Sequence, residues 1–206
     1  MVTNLAVSRF TEAEYLAFER ASHEKHEFIN GEILELTGAS FAHVAIATNL
    51  VVGLGNQLRG TPCRPLTSDM RVKVRETGAY VYPDVVVVCG KPELEDEHVD
   101  TLLNPTLVIE ILSPSTEAYD RGAKSAHYRR LPSLQGYVLI AQDRASVEHF
   151  RREGDCWILT EATELDAVMP LPEIGCELKL SEVCEGVEFP EPTGEDASAP
   201  PQPHPA

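Results

Sequence analysis

The chain has 206 residues and a formal net charge of −16, enough length for one domain with a sizeable core. Hydrophobic residues make up 43% and charged residues 24%. This is an ordinary globular composition, and no run reaches the roughly 20 apolar residues of a membrane-spanning helix. Thirteen acids and one base, Lys179, fall in residues 153–206. The acidity is therefore mostly C-terminal; it disfavours tight nonspecific DNA binding without excluding a DNA substrate. The start, MVTNLAVSRFTEAEY, lacks a basic segment followed by an apolar core, so no signal peptide is expected. The five cysteines (Cys63, Cys89, Cys156, Cys176 and Cys184) are scattered, with no CxxC spacing. That argues against zinc and for a reducing cytoplasm.

Phe10-Thr11-Glu12-Ala13-Glu14-Tyr15 is a helix start. Thr11 is the expected N-cap, Glu14 completes a capping box and Phe10 can staple onto Tyr15. The helix is expected to run to about Ser22. Asn30-Gly31 in HEFINGEILEL marks a tight β-hairpin, because both residues tolerate positive φ. Glu27 lies on its first arm. Ser40 then caps a helix over about 41–59, on which Val44, Ala47, Thr48, Val51, Val52, Gly55 and Leu58 follow a helical spacing and predict the core face. His43 sits in its first turn, where the helix dipole disfavours a charged imidazole. It reads either as a neutral hydrogen-bonded group or as an ordinary surface histidine. Ser68-Asp69 offers a carboxylate, or only a turn cap, just before Arg71–Arg75, which alternates as a half-exposed strand does.

Tyr80–Cys89 reads as the returning strand and contains PDVVVVCG. After an acidic loop over 91–103 comes LVIEIL, again an apolar run. Such runs bounded by Pro and Gly predict strands buried on both faces. A carboxylate inside one is costly unless it is paired, protonated or bound to a cation. Asp84 stands at the mouth of the first strand and Glu110 near the end of the second. If the strands pair, the two carboxylates converge, and a divalent cation with oxygen preference relieves their repulsion. The plainer readings are a strand-start turn for Asp84 and a structural ion pair for Glu110. Ser113-Pro114-Ser115 ends the strand, and a helix is expected over about 116–130. It places Lys124 and Tyr128 four residues apart, with Asp120 one turn before Lys124. Strands are expected at 137–140, 145–150 and 157–160. A crossover through the helix should set 137–140 parallel to an earlier strand.

The order of elements predicts an α/β fold: an N-terminal helix and β-hairpin, then a mixed β-sheet core flanked by helices. Residues 1–189 form one expected domain. Residues 190–206, with six prolines and almost no apolar bulk, form an expected disordered acidic tail.

The stretches KHEFINGEI, FAHVAIATNL, SDMRV, YPDVVVV, LVIEILSPST and DRGAKSAHY, taken together, resemble the Uma-type restriction endonuclease family, which belongs to the PD-(D/E)XK nuclease superfamily. The resemblance runs from about Phe10 to Val187. It implies a restriction-endonuclease-like fold and hydrolysis of nucleic-acid phosphodiester bonds, DNA in the first place, supported by Mg²⁺ or Mn²⁺. It assigns Asp84, Glu110 and Glu27 to the metal and Lys124 to the reacting phosphate, with His43 and Asp69 as accessory groups. One departure stands out. The superfamily lysine lies two residues after the glutamate, and here that position is Leu112. Lys124, reaching from the following helix, is the expected substitute.

Two other readings remain. A nuclease fold without catalysis, serving as a binding or assembly module, is motivated by Leu112. Serine hydrolase chemistry from Ser113 or Ser115 with His127 is weakened by the absence of a GxSxG elbow. A homodimer is expected only by analogy with nucleases that cut both strands.

Overall fold

The structure, a computed structural model, describes residues 9–190. The expected tail lies outside the described residues except for Pro190. The first helix, α1 (Glu12–Ala21), starts as its sequence predicts. Thr11 accepts the Glu14 amide, and the Glu14 carboxylate returns to the Thr11 amide. The staple does not form: Tyr15 is buried with Phe28 and Tyr80, whereas Phe10 is 48% exposed and outside that cluster. Strands β1 (His26–Ile29) and β2 (Glu32–Glu35) pair antiparallel around Asn30 (φ 53°) and Gly31 (φ 85°), the positive-φ pair that a two-residue hairpin requires.

The helix α2 (Phe41–Gln57) is capped by Ser40. Its core face differs from the expected one. Ile46, Leu50 and Leu54 are buried, while Val44 and Val52 are 53% and 57% exposed. The helix is apolar nearly all round, so its periodicity does not choose a face; the sheet it lands on does. The rest of the chain supplies β3 (Cys63–Thr67), β4 (Arg71–Val74), β5 (Ala79–Val81), β6 (Val85–Cys89), β7 (Thr101–Leu102) and β8 (Leu107–Leu112). Next come α3 (Glu117–Tyr119), a π-helical turn (Asp120–Lys124) and α4 (Ser125–Tyr128), which run on as one helix. Then follow β9 (Gly136–Ala141), β10 (Val147–Glu153), β11 (Cys156–Ala162), β12 (Val168–Leu171), β13 (Cys176–Lys179) and α5 (Leu180–Val183).

Two mixed sheets result, ordered β2-β1-β5-β4-β7 and β11-β10-β9-β8-β6-β3, with β12-β13 as a separate hairpin. The expected single strand 80–89 is split. Tyr82-Pro83-Asp84 leaves β5 in the first sheet and enters β6 in the second. Proline removes a ladder donor and its fixed φ suits such a corner. Strand β9 is parallel to β8, as the crossover predicts.

Strand alternation then sorts the two faces of the six-stranded sheet. Val85, Val87, Leu107, Ile109 and Ile111 pack with Ile46, Leu50 and Leu54 of α2. Val86, Val88, Val108 and Leu112 face the opposite core, with Val72, Val81 and Tyr128. Glu110, between Val108 and Leu112 in phase, belongs to this second face.

Strand β3 was not legible because CRPLT has neither alternation nor a β-branched run. Its register makes Cys63 the partner of Cys89, and the two form a disulfide; Cys156, Cys176 and Cys184 are free. The pairing removes the argument for a reducing compartment that the linear spacing supported. No helix among the described residues is long and apolar enough to cross a membrane. Gly136 opens β9 where an added Cβ would stand 2.6 Å from Leu107 Cδ1 and would also collide with the buried Glu173 carboxylate. Gly136→Ala is expected to destabilise the fold by about 1–3 kcal/mol through overpacking, read as a lower denaturant midpoint with unchanged slope.

Candidate active site

Four elements converge on one cleft of about 840 Å³. Strand β1 brings Glu27, which is 1% exposed. The corner at Pro83 brings Asp84. Strand β8 brings Glu110, 2% exposed, and the π turn brings Asp120 and Lys124, 4% and 5% exposed. The register that pairs Val85 with Ile109 carries Asp84 across from Glu110. Asp84 Oδ2 then accepts the amide of Ile111, the next residue along, at 2.7 Å.

Lys124 is the hub. Its Nζ lies 2.9 Å from Glu110 Oε1, 3.0 Å from Glu27 Oε1 and 3.7 Å from Asp120 Oδ1. Tyr128 OH donates to Glu110 Oε1 at 2.7 Å. Glu27 is held on both oxygens, by the Tyr82 amide at 2.9 Å and by Tyr119 OH at 2.8 Å. His43 Nε2 stands 2.9 Å from Asp84 Oδ1, and because the carboxylate accepts, the ring nitrogen donates. The Ser40 cap of α2 fixes the His43 backbone. A π turn widens the helix by one residue per turn and is frequent at functional sites. Here it lets Asp120 and Lys124 both point inward from adjacent turns.

Three carboxylates therefore share one ammonium, and Asp84 acts on it through space. Burial raises the Glu110 carboxyl well above the usual range; Asp84, Asp120 and Glu27 raise it further, against the pull of Lys124. Burial raises Asp120 in the same sense. For Lys124, burial lowers the amine, but Glu110, Glu27, Asp120 and Asp84 outweigh it and hold the proton well above the ordinary lysine range. Burial, with Glu110 next, also keeps the Tyr128 phenol protonated.

Among the described residues no group of three or more His, Cys, Asp or Glu side chains is arranged to hold a metal ion. Glu27 lines the same cleft, with its oxygens engaged by Tyr82, Tyr119 and Lys124. Asp84 and Glu110 are donors of the oxygen type that a hard cation such as Mg²⁺ takes, and such an ion binds through one or two carboxylates plus waters and substrate phosphate rather than a full protein cage. The surplus of negative charge beside them is what such an ion neutralises.

Of the residues singled out in the sequence, Asp84, Glu110, Lys124, Glu27 and His43 come together. Asp69 does not: its side chain is 82% exposed, pairs with Lys25 at 2.5 Å, and is absent from the cleft lining. His127 bonds Thr77 Oγ1 at 2.8 Å, while Ser113 bonds Ser115 and Thr116, so neither serine pairs with His127. Asp120, Tyr119 and the Tyr82 main chain were missed. The four-residue step from Asp120 to Lys124 was a visible signal for the first of these; the π turn that buries both was not. Leu112, in phase with Glu110, is packed in the apolar cluster at 5% exposure, and Lys124 on the helix sets its ammonium 2.9 Å from Glu110.

Residues 12–181 match the Uma2 family, whose description reads "putative restriction endonuclease". The chain belongs to the Uma2 family. Two uncharacterised Synechocystis proteins are similar to this Uma2 chain. One is 40% identical over 152 residues, covering 73% of the chain and 86% of the relative. The other is 34% identical over 178 residues, covering 85% and 92%. A crystal structure from Anabaena variabilis, titled as a putative nuclease belonging to DUF820, superposes with a TM-score of 0.70 at 21% identity. That match covers 85% of this chain and 97% of the other. The likeness is one of fold, a mixed α/β architecture.

Proposed function

We propose that this Uma2 protein is a divalent-cation-dependent endonuclease that hydrolyses phosphodiester bonds, with DNA as its substrate class. The observation that carries the reading is the Lys124 ammonium set 2.9 Å from Glu110 at the base of an open cleft, beside Asp84. Asp84 and Glu110 would hold Mg²⁺ or Mn²⁺, which when bound supplies Lewis-acid polarisation of a phosphoryl oxygen and a more acidic water. The chain's own groups do the rest. Lys124 offsets negative charge that grows on the phosphoryl oxygens during attack, in a site where that charge is poorly screened. Glu27, locked by two donors, keeps the ammonium in place. Tyr128 orients Glu110, and His43 orients Asp84. Two copies acting together would cut both strands of a duplex.

A second reading, a nuclease fold that binds without cutting, is favoured by the buried Leu112 at the position of the superfamily lysine. One assay separates the two. Wild type and Asp84→Ala are incubated with duplex DNA, single-stranded DNA and RNA, each with Mg²⁺, with Mn²⁺ and with chelator. Metal-dependent cutting by wild type, reduced about 10³-fold in the variant, is expected. Folded wild type that cuts nothing under any metal defeats the nuclease reading and leaves the binding module.

A further inference from the structure

Four strands end the two larger sheets: β2 and β7 in the first, β11 and β3 in the second. A free strand edge is a row of unpaired N–H and C=O groups and a template for another strand. Three of these edges carry the usual defences. Strand β7 has only two residues. Strand β2 places Glu32 and Glu35 in four residues. Strand β3 contains Arg64 and Pro65. Strand β11 has none of them. It is seven residues long, CWILTEA, with no proline, no glycine and one charge, Glu161.

The apolar content of this edge is exposed on both faces. Ile158 is 41% and Leu159 46% exposed, and successive strand residues point to opposite sides. Leu165 and Val168, at 50% and 46%, extend the apolar surface beyond the strand. Among the described residues only β10 pairs with β11, through all seven residues.

We propose that β11 is a self-pairing edge, on which the β11 of a second copy of this chain docks antiparallel and joins two six-stranded sheets into one. The occupant is a strand because the unmet groups are backbone groups. A second copy fits because β11 is self-complementary. With the two-fold axis at Leu159, Ile158 faces the partner's Thr160, Trp157 faces the partner's Glu161, and Cys156 faces the partner's Ala162. No like charges oppose each other, which direct cross-strand pairing requires. Strands β9 and β10 separate β11 from β8, so the pairing leaves the cleft open. The net charge of −16 opposes association at low ionic strength, so the dimer tightens as salt screens it.

The test is sedimentation velocity of the full chain from about 1 to 100 μM, the range in which a modest interface associates. A dimer is expected for wild type. Ile158→Lys with Leu159→Lys, a charged edge of the natural defensive kind, is expected to weaken it at least about tenfold. Leu34→Lys, on the β2 edge, leaves it intact and serves as the folded control. Because the double variant can fail to fold, hydrogen exchange on wild type gives a second reading: the amides of residues 156–162 lose protection on dilution while those of β9 do not. A monomer throughout the range, a dimer whose β11 amides exchange freely, or a dimer that survives in the folded double variant overturns the proposal.

Discussion

Replacing Lys124 with methionine is expected to destabilise the protein by about 3–5 kcal/mol at pH 8, the cost of breaking a buried ion pair and leaving its partners uncompensated. For a chain of this size the melting temperature falls by roughly 6–20 °C. Methionine fills much the same volume, so the loss reports charge rather than a cavity. Among the described residues Lys124 is the only cation paired with Glu110, Glu27 and Asp120. Without it, carboxyl groups already raised by burial move further up. The sign of the pH dependence follows. A carboxyl whose folded pKa exceeds its unfolded value binds extra protons in the fold, so stability rises as pH falls toward the ordinary carboxylate range. The gap between variant and wild type is therefore wide at pH 8 and narrow near pH 5. Thermal melts at the two pH values check this; an equal gap at both would show that Lys124 acts through packing alone.

Glu110→Gln is expected to move stability and activity in opposite directions. Glu110 is inside β8, 2% exposed, with its carboxyl raised well above the usual range by burial and by Asp84, Asp120 and Glu27. Ionising it costs more in the fold than in the unfolded chain, and that cost grows as pH rises through the raised folded value. Glutamine keeps the shape and an oxygen for the Tyr128 hydroxyl, while Lys124 retains Glu27 and Asp120. The variant should gain about 0.5–2 kcal/mol at pH 8, a rise of roughly 1–8 °C, and the gain should vanish near pH 4. Cleavage should fall on the order of 10²–10³-fold. Opposed changes are the mark of a carboxylate kept for function at the expense of stability. A variant less stable than wild type at pH 8 would instead make Glu110 a structural member of the Lys124 ion-pair network, and would remove it from the metal site.

The site itself was partly legible. A glutamate inside LVIEIL was conspicuous because its desolvation cost must be offset by pairing, protonation or a cation, and in the fold it pairs with Lys124. Asp84 was legible as the polar end of an apolar run. Lys124 was reached through the absence at Leu112 together with DRGAK one helix later. Asp69 was picked out as a carboxylate just before the strand; its side chain pairs with Lys25 and is largely exposed. Glu27 was found, and in the fold the Tyr82 amide and the Tyr119 hydroxyl engage its two oxygens.

Local chemistry determined the Thr11 cap, the Asn30-Gly31 hairpin, the buried strands at 85–89 and 107–112 and the parallel crossover to β9, because each is set by neighbours a few residues away. Tertiary structure alone decided four things. It chose Ile46-Leu50-Leu54 as the core face of α2, a helix whose pattern allows more than one. It broke Tyr80–Cys89 between two sheets at Pro83, which aims Asp84 into the cleft. It paired Cys63 with Cys89 through an unannounced strand. It opened the π turn that buries Asp120 and Lys124 side by side. In each case the deciding energy comes from residues distant in sequence, through shared apolar burial or the pairing of charges removed from water, and no local pattern records it.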